Sequence, residues 1–196
     1  MSQQSADTLN DIIQHRRSVK TGLFKPNESI PDEVIQHALI NATWAPNHGK
    51  TEPWYFIVYT GEGIKKLCDF QSELYKAESG DKFNQAKYQK LREDYQRASH
   101  VIAICMKREG FSKIPESEDM CAVACAVQNL ALSLHAYGYG GYWTTGGITY
   151  YNSAKSFFAL GEQDKLMGFY LCGVPSSMPA AAQRKPLIDK VDWVTG

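Results

Sequence analysis

The sequence has no excess of charge of either sign, because 21 lysines and arginines balance 21 aspartates and glutamates. A neutral chain lacks the positive field that nucleic-acid binding generally uses, so a nucleic-acid partner is disfavoured. A small anionic ligand remains possible, since it needs only a few local cations. No apolar run approaches the roughly 18 residues of a membrane span, and the polar start of the chain does not resemble a secretory signal. We therefore expect a cytoplasmic protein with no membrane partner.

Cysteine is also scarce, with five residues in 196. An odd number in a chain of this length disfavours a disulfide scaffold. Cys121 and Cys125 are spaced one helical turn apart, which is compatible with a metal pair, but no histidine or further cysteine lies nearby in sequence to complete a zinc site. We therefore predict buried, reduced thiols and no metal. The five cysteines are Cys68, Cys105, Cys121, Cys125 and Cys172.

Hydrophobic residues make up 43% of the chain and charged residues 21%, which are ordinary globular values. We find no internal repeat and no composition break, so residues 1–196 are expected to form a single domain. Apolar spacing, aromatic runs and Gly or Pro boundaries predict the following elements. Helices are predicted at 7–15, from Pro31 to Ala45, at 64–78, 118–137 and 153–160; strands are predicted at 54–59, 100–106, 166–173 and within 138–147.

This order of elements predicts an α+β domain with a small mixed central sheet, flanking helices and a buried central helix. The helix at 118–137 is apolar on nearly all sides, so it takes the central place. Residues 79–97 are polar and helical in pattern and form an exposed flap or a lid, and 107–117 form a polar loop. Residues 174–196 have too little pattern for a core of their own and are expected to extend over a second subunit.

Two groups of cations are candidates for anion binding. Arg16, Arg17, Ser18 and Lys20 follow the first helix, and three cations with a hydroxyl suit a phosphate. The alternative is that these cations only complement the carboxyl end of the helix. Arg184 and Lys185, in the tail, are by themselves more typical of solvated charges.

Two loops could contact a ligand. Residues 46–54 carry His48 and Lys50 between two prolines and could present donors to the edge of a flat heterocycle; the alternative is an ordinary connection from helix to strand. In residues 143–147, the glycines would let backbone N–H groups approach a ligand closely. They could equally form a plain turn, and the glycine spacing typical of a dinucleotide-binding fold is absent.

Taken together and in order, these segments resemble the nitroreductase family of flavin mononucleotide (FMN)-dependent oxidoreductases, and in particular its small-subunit NAD(P)H nitroreductases. The resemblance covers nearly the whole chain, and its ordered set of segments is more specific than any single one. It implies a nitroreductase-like fold and an intertwined homodimer with FMN at the subunit interface. The segments are 16–18, 45–56, 138–143, 161–169, 173–175 and 184–187.

The resemblance also implies roles for the candidate residues. Arg16 and Ser18 would hold the FMN phosphate with Arg17 beside them, and Lys20 would face the N1/O2 edge of the flavin. A second set would complete the site. His48 and Lys50 fall where the family often contacts FMN from the partner subunit, and Arg184 and Lys185 match the positions that reach the phosphate. Thr144, Thr145 and Gly146 fall where the backbone meets the ring near N5, and Trp143 is a further cofactor-binding candidate.

This chain departs from the family pattern at two positions. Thr144 stands where some relatives carry a basic residue, and Glu52 stands where glutamine is common. These departures affect the expected polar contacts to the flavin and leave the fold unaffected.

The activity that the resemblance implies is ping-pong hydride transfer through flavin N5, from NAD(P)H to nitroaromatic, quinone or similar electron-poor acceptors, with no catalytic acid or base from the protein. The aromatic residues Phe70, Tyr75 and Tyr88 are candidates for the roof of the substrate slot, or else core residues. The alternatives are a specialised dehalogenase-like or flavin-fragmenting enzyme, a low-turnover flavin carrier or sensor, and a structural module that has lost the cofactor. The sequence does not distinguish NADH from NADPH.

Overall fold

The computed structural model describes residues 2–108 and 113–196, and within them the chain forms five α-helices and four β-strands. The helices are α1 (Gln3–His15), α2 (Asp32–Ala42), α3 (Glu62–Ser79), α4 (Gln85–Glu93) and α5 (Glu116–Ala136). The strands are β1 (Trp54–Tyr59), β2 (His100–Met106), β3 (Gly140–Thr144) and β4 (Lys165–Gly173). None of these helices is long and apolar enough to cross a membrane, as judged on the described residues.

The strands form one sheet in the order β1-β2-β4-β3, and all three neighbouring pairs are antiparallel. The predicted α+β fold is confirmed. The parallel component expected of a mixed sheet is confined, in the described residues, to an isolated bridge between Ser18 and Gly141. This bridge places the segment after α1 beside β3.

Strand β2 is buried at every position because both faces of the sheet are covered. Side chains alternate along a strand, so Ile102 and Ile104 face the core that contains α2 and α5, whereas Val101 and Ala103 face the core that contains α3. An uninterrupted apolar run such as 100–106 is typical of a strand covered on both sides. The helix predicted as central, α5, supplies Leu130, among others, to the first core.

The predicted elements agree with the structure in type, and their bounds shift by a few residues. The helix predicted at 153–160 is a 3₁₀ helix at Asn152–Phe158, and residues 79–97 fold into α4 and short 3₁₀ turns. The predicted loop at 107–117 lies partly outside the described residues, and α5 begins at Glu116. Residues 174–196 contain no α-helix or strand, and their side chains are mostly exposed.

The cysteine prediction is right for three residues and wrong for two. Cys68, Cys105 and Cys172 are buried, but Cys121 and Cys125 are exposed, and all five are free thiols. The error has a simple cause: α5 is less uniformly covered than its composition indicates. The side of α5 that carries Cys121, Cys125 and Gln128 faces away from the sheet of the same chain.

A short hydrogen-bond chain fixes the start of α2 to the start of β2. The Ile30 N–H donates to Ser99 Oγ at 2.8 Å, and Ser99 Oγ lies 2.8 Å from His100 Nδ1. The His100 ring is 3% exposed, and its Nε2 lies 3.0 Å from Asp32 Oδ1. Because buried polar groups are costly when unpaired, this chain should contribute to stability.

We expect Ser99→Ala to lower the free energy of unfolding by about 1–3 kcal/mol, since it leaves the Ile30 N–H and a buried His100 nitrogen without a partner. Urea unfolding followed by circular dichroism measures the change. Ser156→Ala, which removes an exposed hydroxyl, should change stability by less than about 0.5 kcal/mol. Equal stability of the Ser99 and Ser156 variants would show that the chain contributes nothing.

Candidate functional site

The segment that follows α1 is held against β3 by two adjacent glycines. The Val19 N–H donates to the Gly141 carbonyl at 3.1 Å, next to the Ser18–Gly141 bridge. A Cβ at Gly140 would lie 2.7 Å from Val19 Cγ2, and a Cβ at Gly141 would lie 2.7 Å from the Leu171 carbonyl oxygen. A Cβ at Gly140 would therefore clash with the segment after α1, and a Cβ at Gly141 would clash with the neighbouring strand β4, so glycine allows the close packing of all three chain segments here.

The crossing brings Lys20 to the end of β3. Lys20, Thr144 and Gly146 line one cleft of about 630 Å³, which we call the Lys20 cleft. Three parts of the chain form its remaining walls. They are the 3₁₀ turn Thr21–Leu23, which follows Lys20; α4 with the 3₁₀ turn after it; and β3 with the turn that follows. These lining residues are Thr21, Gly22, Lys87, Lys90, Leu91, Asp94, Tyr95, Arg97, Tyr142 and Gly147.

The residues of the predicted segment 143–146 are divided between two clefts. Thr144 and Gly146 line the Lys20 cleft, whereas Trp143 and Thr145 line a separate cleft of about 400 Å³ with Met120 and Tyr150. The indole N–H of Trp143 donates to the Met167 carbonyl at 2.9 Å. In a strand, successive side chains point to opposite faces, so Trp143 and Thr144, the last two residues of β3, do not present their side chains to one ligand.

The Lys20 cleft also has polar groups that the sequence analysis did not identify. The Thr21 hydroxyl donates to Asp94 Oδ1 at 2.7 Å and so links the segment of Lys20 to the turn after α4. Burial raises the pKa of Tyr142, and the nearby Asp94 carboxylate raises it further. The Tyr142 phenol is therefore neutral near pH 7. Asp94 lies in no motif. Tyr142 lies in segment 138–143, which carries the family resemblance, but nothing in the sequence distinguished it from the other residues of that segment.

The proposed roof aromatics pack elsewhere. Phe70 stacks on Phe157 with ring centroids 3.9 Å apart. Tyr75 and Tyr88 are buried with Leu91 in a small core between α3 and α4. The structure therefore favours the alternative that these rings are core residues. Helix α4 itself does form one wall of the Lys20 cleft.

A second group of cations lies where α1 ends against the end of α5. Partial burial lowers the pKa of His135, in the last turn of α5, and the positive charges of Arg16, His15 and Arg17 lower it further, in that order. This end of the molecule therefore has a positive potential that favours an anion. We call these four residues the His135 cluster.

Arg17 is committed to backbone groups within this cluster. Its Nη1 donates to the carbonyls of Gln14 and Arg16 at 2.7 and 2.9 Å, and its Nε donates to the Ala180 carbonyl at 3.3 Å. For Arg17 the structure favours the alternative that the cation complements the end of α1. The contact with Ala180 also brings the tail to this end. Arg184 follows four residues later, within about 14 Å even if that stretch is fully extended.

His48 and Lys50 lie elsewhere in the same chain. His48 Nδ1 is 2.6 Å from Glu118 Oε2 in the first turn of α5. Helix α5 rises about 1.5 Å per residue, so Glu118 and His135 are about 26 Å apart along its axis. Within one chain, the loop of His48 and the His135 cluster therefore lie at opposite ends of α5.

The loop that carries His48 and Lys50 is held in a strained conformation. Lys50 has φ +56° and Glu52 has φ +42°, values that are uncommon for residues other than glycine. The Thr51 hydroxyl donates to Asp119 Oδ1 at 3.0 Å, and Asp119 forms a buried ion pair with Arg108 at 2.8 Å. Two adjacent acidic residues, Glu118 and Asp119, open the otherwise apolar helix predicted at 118–137, and they were the available sequence signal for this anchor. In the described residues, no group of three His, Cys, Asp or Glu side chains is arranged to hold a metal.

The chain was compared with known families and proteins. A family model described as "Nitroreductase family" matches residues 13–174. The chain is 29% identical over 182 residues to YfhC of Bacillus subtilis (strain 168), a protein provisionally named as an NAD(P)H nitroreductase. The match covers 93% of this chain and 92% of that protein.

Two solved structures share the fold. A nitroreductase-like family protein from Bacillus cereus superposes with a TM-score of 0.81 at 26% identity, and the match covers 96% of each chain. A provisionally assigned nitroreductase from Desulfovibrio desulfuricans, solved in complex with FMN, superposes with a TM-score of 0.72 at 22% identity and covers 96% of this chain and 97% of that one.

The lowered pKa of His135 predicts how stability depends on pH. The unfolded chain binds a proton at this histidine near its usual pKa of about 6.5, while the folded chain resists protonation, so folded protein loses stability as the pH falls below that value. His135→Gln should reduce this loss between pH 7 and 5, as measured by thermal unfolding. Inorganic phosphate should also reduce it, in the wild type more than in the variant. Superimposable pH profiles of the two proteins would contradict the prediction.

Proposed function

Because the chain belongs to the nitroreductase family, we propose that it is an FMN-dependent oxidoreductase that uses NAD(P)H to reduce nitroaromatic, quinone or similar electron-poor acceptors. When bound, the flavin supplies hydride transfer at its N5 atom. The protein then has to hold the flavin, set the electrostatics around it and leave a slot for the substrates. No residue is assigned as an acid or base.

The backbone contact between Val19 and Gly141 carries this proposal. It brings Lys20 into one cleft with Thr144 and Gly146, three residues that are distant in sequence and that the family resemblance assigns to the flavin. Lys20 would stabilise negative charge at the N1/O2 edge of the ring, and backbone N–H groups near Gly146 would face N5. Fixed charges of this kind act strongly where water is excluded.

The His135 cluster fits the phosphate end of the group. Arg16 has no side-chain hydrogen bond or ion pair among residues 2–108 and 113–196, so its guanidinium is free to bind a phosphate. Ser18 is exposed beside it, and the tail that carries Arg184 and Lys185 passes close by at Ala180. Arg17 would act as a support for this region, since its donors already bind carbonyl groups.

We further propose a homodimer in which His48 and Lys50 reach the flavin of the partner subunit. The distance along α5 prevents both ends of this helix from contacting one flavin within a chain. Apolar side chains that have no cover in one chain support a second copy. They include Leu9 and Ile13 of α1, Trp44, and Leu187 and Trp193 of the tail, the last of which is 82% exposed.

We expect the purified protein to be yellow, and NAD(P)H should bleach it under anaerobic conditions.

Arg16→Ala should weaken FMN affinity by about 1–3 kcal/mol, because it removes a charge-assisted contact to the phosphate. Lys66→Ala, an exposed cation of α3, is the matched control and should bind FMN like the wild type. Affinities come from the change in flavin fluorescence on titration. Arg16→Ala protein with unchanged affinity would exclude the phosphate role.

Subunit exchange tests the shared site. Arg16→Ala and Lys50→Ala homodimers should each bind FMN weakly at both sites. When the two proteins are mixed and allowed to exchange, half of the dimers are mixed, and each has one site with neither substitution. About a quarter of all sites should then regain wild-type affinity. No recovery, although mass spectrometry detects the mixed dimer, would show that Arg16 and Lys50 serve the same site from one chain or do not share a site.

A further inference from the structure

The Lys20 cleft has a surplus of positive charge. Four cations line it, namely Lys20, Lys87, Lys90 and Arg97, against one carboxylate, Asp94. The surplus is local, since the chain as a whole is neutral. A cleft lined mainly by one sign of charge concentrates ligands of the opposite sign.

Two of these four cations already have a role. The Lys87 ammonium lies over the Tyr75 ring, 4.5 Å from its centroid. Lys20 is assigned to the flavin edge in the proposed function. The carboxylate of Asp94 accepts the Thr21 hydroxyl at 2.7 Å. Lys90 and Arg97 have no side-chain ion pair or hydrogen bond within residues 2–108 and 113–196.

The neighbouring cleft shows that this is not a general property of the surface. It has a similar volume, about 600 Å³, and also contains Arg97. Each of its two lysines forms an ion pair with a carboxylate of the same cleft. Lys25 Nζ lies 3.2 Å from Glu28 Oε1, and Lys65 Nζ lies 3.9 Å from Glu62 Oε2. In the part of the chain that the structure describes, Arg97 borders both clefts without a partner, and Lys90, also without one, lies on the side that faces Lys20.

The positions of Lys90 and Arg97 suit contact with a substrate rather than with the flavin phosphate. Lys90 lies in the last turn of α4, and Arg97 ends the 3₁₀ turn Asp94–Arg97. Both side chains are exposed at the wall of the cleft. Arginine and lysine at the end of a helix favour its dipole, but that effect does not require both to border the same cleft.

We propose that the substrates of this cleft carry an anionic group, a phosphate or a carboxylate, and that Lys90 and Arg97 bind it. This inference rests on the proposed function. The anionic group could belong to the nicotinamide donor, whose 2′-phosphate distinguishes NADPH from NADH, or to the electron acceptor. Both sources present the same chemistry to the two cations, and the two half-reactions separate them.

Rapid kinetics with the FMN-loaded protein tests the inference. The reductive half-reaction compares NADPH with NADH, and the oxidative half-reaction compares 4-nitrobenzoate with its uncharged methyl ester. NADH also carries a diphosphate, so this pair differs only in the 2′-phosphate. Relative to the other member of its pair, we expect Lys90→Gln and Arg97→Gln each to lower the second-order rate constant for NADPH or for 4-nitrobenzoate by roughly three- to fivefold, the effect of an exposed ion pair. The neutral ester should react equally with all variants.

Three further measurements sharpen the result. Lys65→Gln, which removes a paired lysine from the neighbouring cleft, should leave both half-reactions unchanged. Lys90→Arg, which keeps the positive charge, should retain the wild-type preference for the anionic group. Equilibrium titration of the oxidised protein with 4-nitrobenzoate, without turnover, should show the same loss of affinity in the glutamine variants, and added salt should reduce the wild-type preference.

The outcomes are distinguishable. A loss confined to NADPH identifies the donor as the source of the anion, and a loss confined to 4-nitrobenzoate identifies the acceptor; either supports the inference. Equal losses for charged and neutral substrates, or no loss for either, overturn it and leave the proposed function intact. A protein whose bound flavin neither nicotinamide reduces overturns the proposed function, and this inference with it.

Discussion

The close contact between the Val19 backbone and the paired glycines of β3 is the constraint on which the candidate site depends. The segment after α1 has no strand partner of its own within its sequence neighbourhood, and it gains one at Gly141. A Cβ at Gly140 would overlap the Val19 side chain. Lys20 therefore reaches the end of β3 because a glycine some 120 positions later leaves room for the Val19 side chain.

The sheet then determines which groups can share a cleft. Both faces of β2 are buried, so this strand offers no exposed surface to a ligand. Alternation along β3 directs Tyr142 and Thr144 to the Lys20 cleft and Trp143 to another. The length of α5 separates the His135 cluster from the loop of His48. The proposed homodimer accounts for this separation, because the loop of one copy would then face the His135 cluster of the other.

The charged side chains form local groups of one sign or the other, although the chain as a whole has no net charge. At one end of α5, partial burial lowers the pKa of His135, and the nearby positive charges lower it further. At the other end, Asp119 is neutralised by Arg108, and this buried pair also fixes the loop of Lys50 through Thr51. A charge that is paired within the protein supports structure, whereas an unpaired cation in a cleft is available to a ligand. This distinction separates Arg108 and Lys65 from Arg16, Lys90 and Arg97.

The amino-acid sequence by itself was sufficient for the types and order of the elements, because apolar periodicity and aromatic runs such as 54–59 reflect burial directly. It was also sufficient to select Arg16 and Lys20 as candidates, since their charge does not depend on the fold. Only the tertiary structure decided which candidates meet. It bound Arg17 to carbonyl groups, exposed Cys121 and Cys125, moved the aromatic rings of α3 and α4 into a core, and placed His48 at the far end of α5. These outcomes depend on contacts between residues that are distant in sequence, and neither composition nor local spacing contains that information.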